Sequence, residues 1–290
     1  MEEYSIKDLE KITGIKSHTI RIWEKRYKIF CPKRTSSNLR IYCNDDLKKL
    51  MSINTLLKYG YRISQIASFS DEEIKEKLTQ LIQSKTNTNV IVENLIVALF
   101  DIDEEKFDKL YTRSILQYGF EETFIKIICP LFKKVELLWQ IGKVNQIHKN
   151  FISNFIRRKI IIAIDAQIVS QQKDKTFLFF LPEGEFNDIK LLFFLYFVKK
   201  KSYKTIYLGE NVSLKDLEEV FTGKTIDYLI FSFEKIKNVL VINDYLKKIE
   251  NLFSNTKIII CCDTDEINSK SERVYFINTA ETFIELINKL

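Results

Sequence analysis

After Lys175 the chain changes texture, and this change limits the fold more than any other feature. Five short apolar runs, Phe177–Leu181, Thr205–Leu208, Tyr228–Phe233, Ile258–Cys262 and Val274–Ile277, alternate with helical segments. Runs this short and this continuously apolar read as strands buried on both faces. Alternation with helices makes such strands a parallel sheet covered on both sides. Residues 174–290 are therefore expected to form a doubly wound, Rossmann-like α/β domain.

The two segments before it have different patterns. Residues 84–89 (SKTNTN) are polar and make the best boundary. From Val90 to about Gln172 the pattern is helical, with breaks near Asp101–Glu105, Gly119 and Gly142. Four helices result, and residues 85–173 are expected to be a four-helix bundle. In residues 1–84, Ser5-Ile6-Lys7-Asp8 is a capping-box-like start and Thr13-Gly14 a stop. A second helix is expected from about Ser17 to Tyr27. Ile20, Trp23 and Tyr27 face inward on it, and His18, Arg21 and Lys25 share the outward face. Residues 31–43 read as a hairpin or wing. Further helices run from Asn44 to about Tyr59, over Ile63–Ala67, and from Ser70 to about Gln83. The fold class is thus multidomain, α+β followed by α/β.

Charge is unevenly distributed. Of 45 basic and 39 acidic residues, 17 and 11 lie in the first 85, so the whole formal excess of +6 sits there. A local positive excess is the footprint of a phosphate-binding surface. No window of about 18 uncharged apolar residues exists, and the start MEEYSIKDLE is acidic, so neither a membrane span nor a signal peptide is expected. The expected location is the cytoplasm. The five cysteines, Cys31, Cys43, Cys129, Cys261 and Cys262, make no CxxC pair, and with two histidines no metal site is expected.

The stretch His18-Thr19-Ile20-Arg21-Ile22-Trp23-Glu24-Lys25-Arg26-Tyr27, followed by Pro32, Arg34, Asn38, Arg40 and Tyr42, resembles the MerR family of transcription regulators. The resemblance covers about residues 4–75 and implies a winged helix-turn-helix bound to double-stranded DNA. A helix fits the major groove and offers its N-terminal side chains to base edges. His18, Thr19, Arg21 and Lys25 are the expected contacts from the helix. Lys33, Arg34, Arg40 and Tyr42 are those from the wing. Lys28 stands where the family often has Gly.

The remaining 200 residues resemble the cobalamin-binding module of the CarA/CarH/LitR-like members, a four-helix bundle followed by a flavodoxin-like domain. Its ligand motifs are degenerate here. Trp139 and Gly142 fit the bundle motif, but Lys149 and Asn150 replace its Glu and His. In the loop after the first strand Asn187 replaces the ligand His and Lys190 the Gly. Ser232 is kept, and Cys261-Cys262 replace a Gly pair. A neutral amide is a poor cobalt ligand, and side chains at 190 and 261–262 obstruct the nucleotide tail. His148 lies two positions before the family's ligand, a rotation of about 200° on a helix. The expectation is a degenerate sensor or oligomerisation module without cobalamin. A cobalamin-dependent light-sensing repressor is the alternative.

An enzyme is not expected. Gly184, Gly209 and Gly223 are the only glycines in the sheet region and form no phosphate loop. Two histidines cannot supply a nucleophilic triad. Glu183, Glu185 and Asp188, in a loop before a helix, read as capping residues. One winged helix buries too little surface for tight specific binding alone, so at least a homodimer is expected. A protein partner or an unidentified small ligand remains open.

Overall fold

The computed structural model describes residues 4–30, 32–35, 38–58, 60–83, 88–140, 142–168, 172–233, 239–262 and 271–290. Residues 84–87 of the expected linker lie outside the described residues. The chain divides into two compact units, residues 1–152 and 153–290.

The first unit opens with helices α1 (Ile6–Thr13) and α2 (Ser17–Tyr27). Strands β1 (Lys33–Arg34) and β2 (Arg40–Ile41) pair antiparallel, with Lys33 opposite Ile41 and Arg34 opposite Arg40. Helices α3 (Asn44–Lys58), α4 (Ile63–Ile66) and α5 (Asp71–Gln83) follow. Ser5 and Asp8 form the expected capping box, and Gly14 closes α1 at φ 76°, a left-handed cap that glycine takes without strain. Tyr4 and Tyr42 exchange two backbone hydrogen bonds of 2.9 Å, which fixes the start of the chain beside the wing.

Helices α6 (Thr88–Asp101), α7 (Glu104–Tyr118), α8 (Phe120–Thr123), α9 (Cys129–Gln140) and α10 (Gln146–Asp165) come next. Residues Phe124–Ile128 between α8 and α9 are π-helical, and the Cys129 N–H reaches back to the Phe124 carbonyl. Pro130 accounts for this. Its ring has no N–H and clashes with the carbonyl four residues back, so the ladder widens before it. The breaks expected near Asp101–Glu105, Gly119 and Gly142 all occur. The last helix ends at Asp165, short of Gln172.

Within the first unit the early helices are tied to the later ones. Lys143 lies 3.6 Å from Asp8 and places its ammonium 4.1 Å from the Tyr4 ring centre. Lys48 pairs with Asp101. On α6, Glu93 takes Lys134 at 2.6 Å and Lys58 at 3.9 Å.

The second unit is a five-stranded parallel sheet in the order β4-β3-β5-β6-β7. Its strands are β3 (Lys173–Phe180), β4 (Tyr203–Tyr207), β5 (Tyr228–Ser232), β6 (Lys257–Cys261) and β7 (Val274–Ile277). Helices α11 (Ile189–Lys200), α12 (Leu214–Phe221), α13 (Val239–Leu252) and α14 (Ala280–Asn288) accompany them. This is the flavodoxin-like order, and every residue of β5 is buried, as a two-sided sheet requires. Alternate residues sort to the two faces. Leu178, Phe180, Leu229 and Phe231 pack with Leu217 of α12 and Leu246 and Ile249 of α13. Phe177 stacks on Tyr228 at 4.4 Å, and Phe194 of α11 stacks on Phe283 of α14 at 3.9 Å.

Candidate nucleic-acid interface and the C-terminal module

Helix α2 is positioned by its neighbours. The Glu10 carboxylate accepts from the Ser17 N–H (3.1 Å) and hydroxyl (2.6 Å) at the first residue of α2. These bonds, that from the Ser17 hydroxyl foremost, lower the Glu10 pKa. Ile20 and Trp23 are buried and hold the helix to the core. Tyr27, expected beside them, is only half-buried, with the Arg26 guanidinium 5.4 Å from its ring centre. Its place at the last turn, next to solvent, explains the difference.

His18, Arg21 and Lys25 are exposed and Thr19 is half-buried. Their spacing puts the three exposed residues on one outward strip of the helix. Lys28 ends α2 in the left-handed region, φ 53° and ψ 33°, and its N–H reaches the Glu24 carbonyl. The wing follows. Lys33 and Arg34 are exposed. Arg34 Nη1 donates to Asn38 Oδ1 at 2.7 Å, and Asn38 turns the hairpin at φ 62°.

Two wing residues differ from the sequence reading. Tyr42 is fully buried, and its hydroxyl donates to Glu24 Oε2 at 3.2 Å. Burial, then Glu24, pushes its phenol above the ordinary value. It is therefore a core residue and not a DNA contact. Arg40 is half-buried, with its Nε 2.9 and 3.1 Å from the two Glu24 oxygens. Sequence reasoning missed Glu24. It sits inside the motif, but nothing in one sequence shows that it joins α2 to the wing.

Residues 4–73 match the family described as MerR HTH family regulatory protein. Residues 4–73 thus form a MerR-type helix-turn-helix domain. The chain is 20% identical over 220 residues to the HTH-type transcriptional repressor CarH of Myxococcus xanthus, which covers 74% of this chain and 73% of that one. It is also 32% identical over 72 residues to the HTH-type transcriptional regulator YfmP of Bacillus subtilis (strain 168). That match takes 24% of this chain and spans about half, 51%, of the relative. Among solved structures, the monomethylamine corrinoid protein of Methanosarcina barkeri superposes with a TM-score of 0.56 at 14% identity. It covers 70% of this chain and all of that one, and the likeness is one of fold.

The positions singled out in the C-terminal two thirds are each engaged locally. Trp139 is half-buried under the Lys149 ammonium at 4.7 Å. Asn150 is exposed and accepts from Gln146 at 2.8 Å. His148 is buried, with Nδ1 2.7 Å from Asn145 Oδ1 and its ring edge-on to Phe100. The opposite exposure of His148 and Asn150 agrees with their helical separation. In the second unit Asn187 is exposed, and its Oδ1 accepts from the Ile189 N–H at 3.4 Å. Lys190 is half-buried. Ser232 donates to the Cys261 carbonyl at 3.1 Å. Cys261 and Cys262 are packed side chains, 1% and 3% exposed. Among the described residues no group of three or more His, Cys, Asp or Glu is placed to hold a metal ion.

Asp188 departs from the capping role expected of it. It precedes α11 but makes no side-chain cap. Its buried carboxylate takes Arg157 Nε of α10 at 2.9 and 3.0 Å and the Tyr207 hydroxyl at 2.7 Å. Burial, then the Asp188 hydrogen bond, holds the Tyr207 phenol above its ordinary value. Glu210, 3.9 Å from Arg157, is raised by desolvation and by Asp188.

Proposed function

We propose that this MerR-family regulator reads double-stranded DNA with His18, Thr19, Arg21 and Lys25 while Lys33 and Arg34 of the wing neutralise phosphates. Arg40 serves chiefly by holding the wing to α2. The observation that carries the reading is the exposed strip His18, Arg21 and Lys25 on a helix whose other face is pinned by Ile20 and Trp23. Arginine and lysine are the commonest bidentate readers of guanine in the major groove. The molecule acts in the cytoplasm as at least a homodimer, because one winged helix is small beside the interface that tight specific binding needs. Its three functional parts are residues 1–84, 85–173 and 174–290.

Regulation, and not catalysis, is the role assigned to the whole chain. The C-terminal parts are proposed to work without cobalamin. What supports this is the fit of the side chains. Asn187 offers an amide where an imidazole would be needed, and that amide bonds its own helix start. Cys261 and Cys262 are packed. His148 is held by Asn145. Cobalamin-dependent light sensing is the second reading, favoured by the similarity to CarH over 74% of the chain.

Two measurements test the proposal. In binding assays across a salt series, Arg21→Ala should cost about 1–3 kcal/mol at the specific site alone. Arg34→Ala should weaken all duplexes and flatten the salt dependence by about one unit. Wild-type behaviour from both variants would remove the assignment of helix and wing. Titration with adenosylcobalamin and methylcobalamin, in the dark and after illumination, should leave the corrin spectrum unchanged. A spectral shift at micromolar protein would establish the second reading instead.

A further inference from the structure

The strand order of the second unit reverses between β3 and β5. The connection after β3 leads outward to β4, and the next leads back across β3 to β5. The loops at the two carboxyl ends therefore part, and in open parallel sheets that crevice is where ligands bind. A cavity of about 280 Å³ lies there. Pro182 and Glu183 line it after β3, Phe233 after β5, Leu214 at the start of α12, and Ile242 and Tyr245 on α13.

The chemistry of the walls is specific. The Phe233 and Tyr245 rings meet edge to face at 5.7 Å, and Phe231 closes on Tyr245 at 5.9 Å. The Tyr245 hydroxyl is buried and, among the described residues, has no hydrogen-bond partner. A buried hydroxyl left unpaired costs stability, and native proteins keep few such groups unless a function uses them. Burial, then Glu183, pushes this phenol above its ordinary value, so it stays neutral. Glu183 itself is exposed to solvent.

We propose that this cavity is a binding site for a small one-ring ammonium compound. The ring lies against Phe233 and Ile242, the ammonium faces the Glu183 carboxylate, and the Tyr245 oxygen accepts one of its N–H groups. Aromatic faces and a carboxylate both favour a cation over a neutral or anionic isostere. The size follows from the volume, which falls below the roughly 300–1,000 Å³ of sites for drug-sized molecules. The proposal goes beyond DNA recognition and rests on the reading that the C-terminal parts take no cobalamin, since Pro182 and Glu183 belong to the loop that carries Asn187 and leads to Lys190.

The test is calorimetric titration of the full chain with 2-phenylethylamine, and with 2-phenylethanol and phenylacetate as neutral and anionic isosteres. The amine should bind at least about fivefold tighter than the alcohol, and phenylacetate most weakly. Glu183→Gln should erase the preference for the amine. Tyr245→Phe should weaken amine binding several-fold while leaving the melting temperature of the unliganded protein unchanged or raised, since it deletes an unpaired hydroxyl. A purely structural tyrosine would show the reverse, a lowered melting temperature. That result, equal binding of the three compounds, or no binding of the amine by about 10 mM would each overturn the proposal.

Discussion

Arg40 Nε sits 2.9 and 3.1 Å from the two carboxylate oxygens of Glu24, sixteen residues earlier in the chain. The Tyr42 hydroxyl joins the same carboxylate at 3.2 Å. A single acid thus fastens the second strand of the wing to the middle of α2. The wing has only two residues in each strand. Its angle to α2 therefore rests on this pair and on the Tyr4–Tyr42 backbone bonds.

Glu24→Ala should lower stability by about 1.5–3 kcal/mol, the range for hydrogen bonds to charged groups. It should also weaken operator binding although Glu24 carries the wrong sign to touch phosphate. Denaturant unfolding and a DNA-binding assay measure the two effects. A double-mutant cycle with Arg40→Ala isolates the pair. Additive losses would show that the wing is held by something else.

Lys28 occupies a left-handed position, φ 53°, that costs a residue with a side chain about 1–2 kcal/mol. Lys28→Gly removes that cost but adds freedom to the unfolded chain. The expected net gain is about 0.5–1 kcal/mol in denaturant unfolding. If Lys28 also neutralises a phosphate, the same variant binds DNA more weakly while being more stable, and the two readouts part. A loss of stability would contradict the strained cap.

Much of this was legible in the sequence because the signals were local. Ser5 and Asp8 announce α1, Gly14 ends it, and α2 runs Ser17–Tyr27 as its apolar spacing implies. The sheet was legible because its strands are buried on both faces and so read as unbroken apolar runs. What failed was non-local. Tyr42 read as an exposed wing residue because alternation in a two-residue strand does not tell inside from outside. Asp188 read as a cap because its partners Arg157 and Tyr207 stand 31 and 19 residues away. Glu24 went unread for the same reason.

The Arg157–Asp188 pair gives a third expectation. Asp188 is 2% exposed on its side chain, whereas Arg157 keeps 41%. Arg157→Met leaves the buried carboxylate with Tyr207 alone. Breaking a pair so as to strand a buried charge costs about 3–5 kcal/mol, and water access on the arginine side favours the low end. Adding Asp188→Asn should recover much of that loss, since the stranded charge is gone. Urea unfolding of both variants measures it. A single variant within about 0.5 kcal/mol of wild type would mean that the pair contributes nothing.

The last expectation concerns alkali. Burial is the leading cause that holds the phenols of Tyr42, Tyr111, Tyr207 and Tyr245 above the ordinary 10.0. Glu24 and Asp188, as acceptors, add to it for Tyr42 and Tyr207. For a group whose folded pKa is raised, the unfolded chain releases its proton first. The stability these phenols contribute is therefore complete below pH 10 and is lost as the pH rises from there through the folded pKa values. In a titration followed by tyrosinate absorbance, these four of the thirteen tyrosines should stay silent through the ordinary range. They should then ionise in one step together with the loss of helical circular dichroism. Tyr207→Phe removes one group from that step and makes the alkaline transition shallower, because one fewer proton is released on unfolding. Ionisation of all thirteen near pH 10 with the fold intact would show that the Tyr207–Asp188 and Tyr42–Glu24 bonds do not hold in solution.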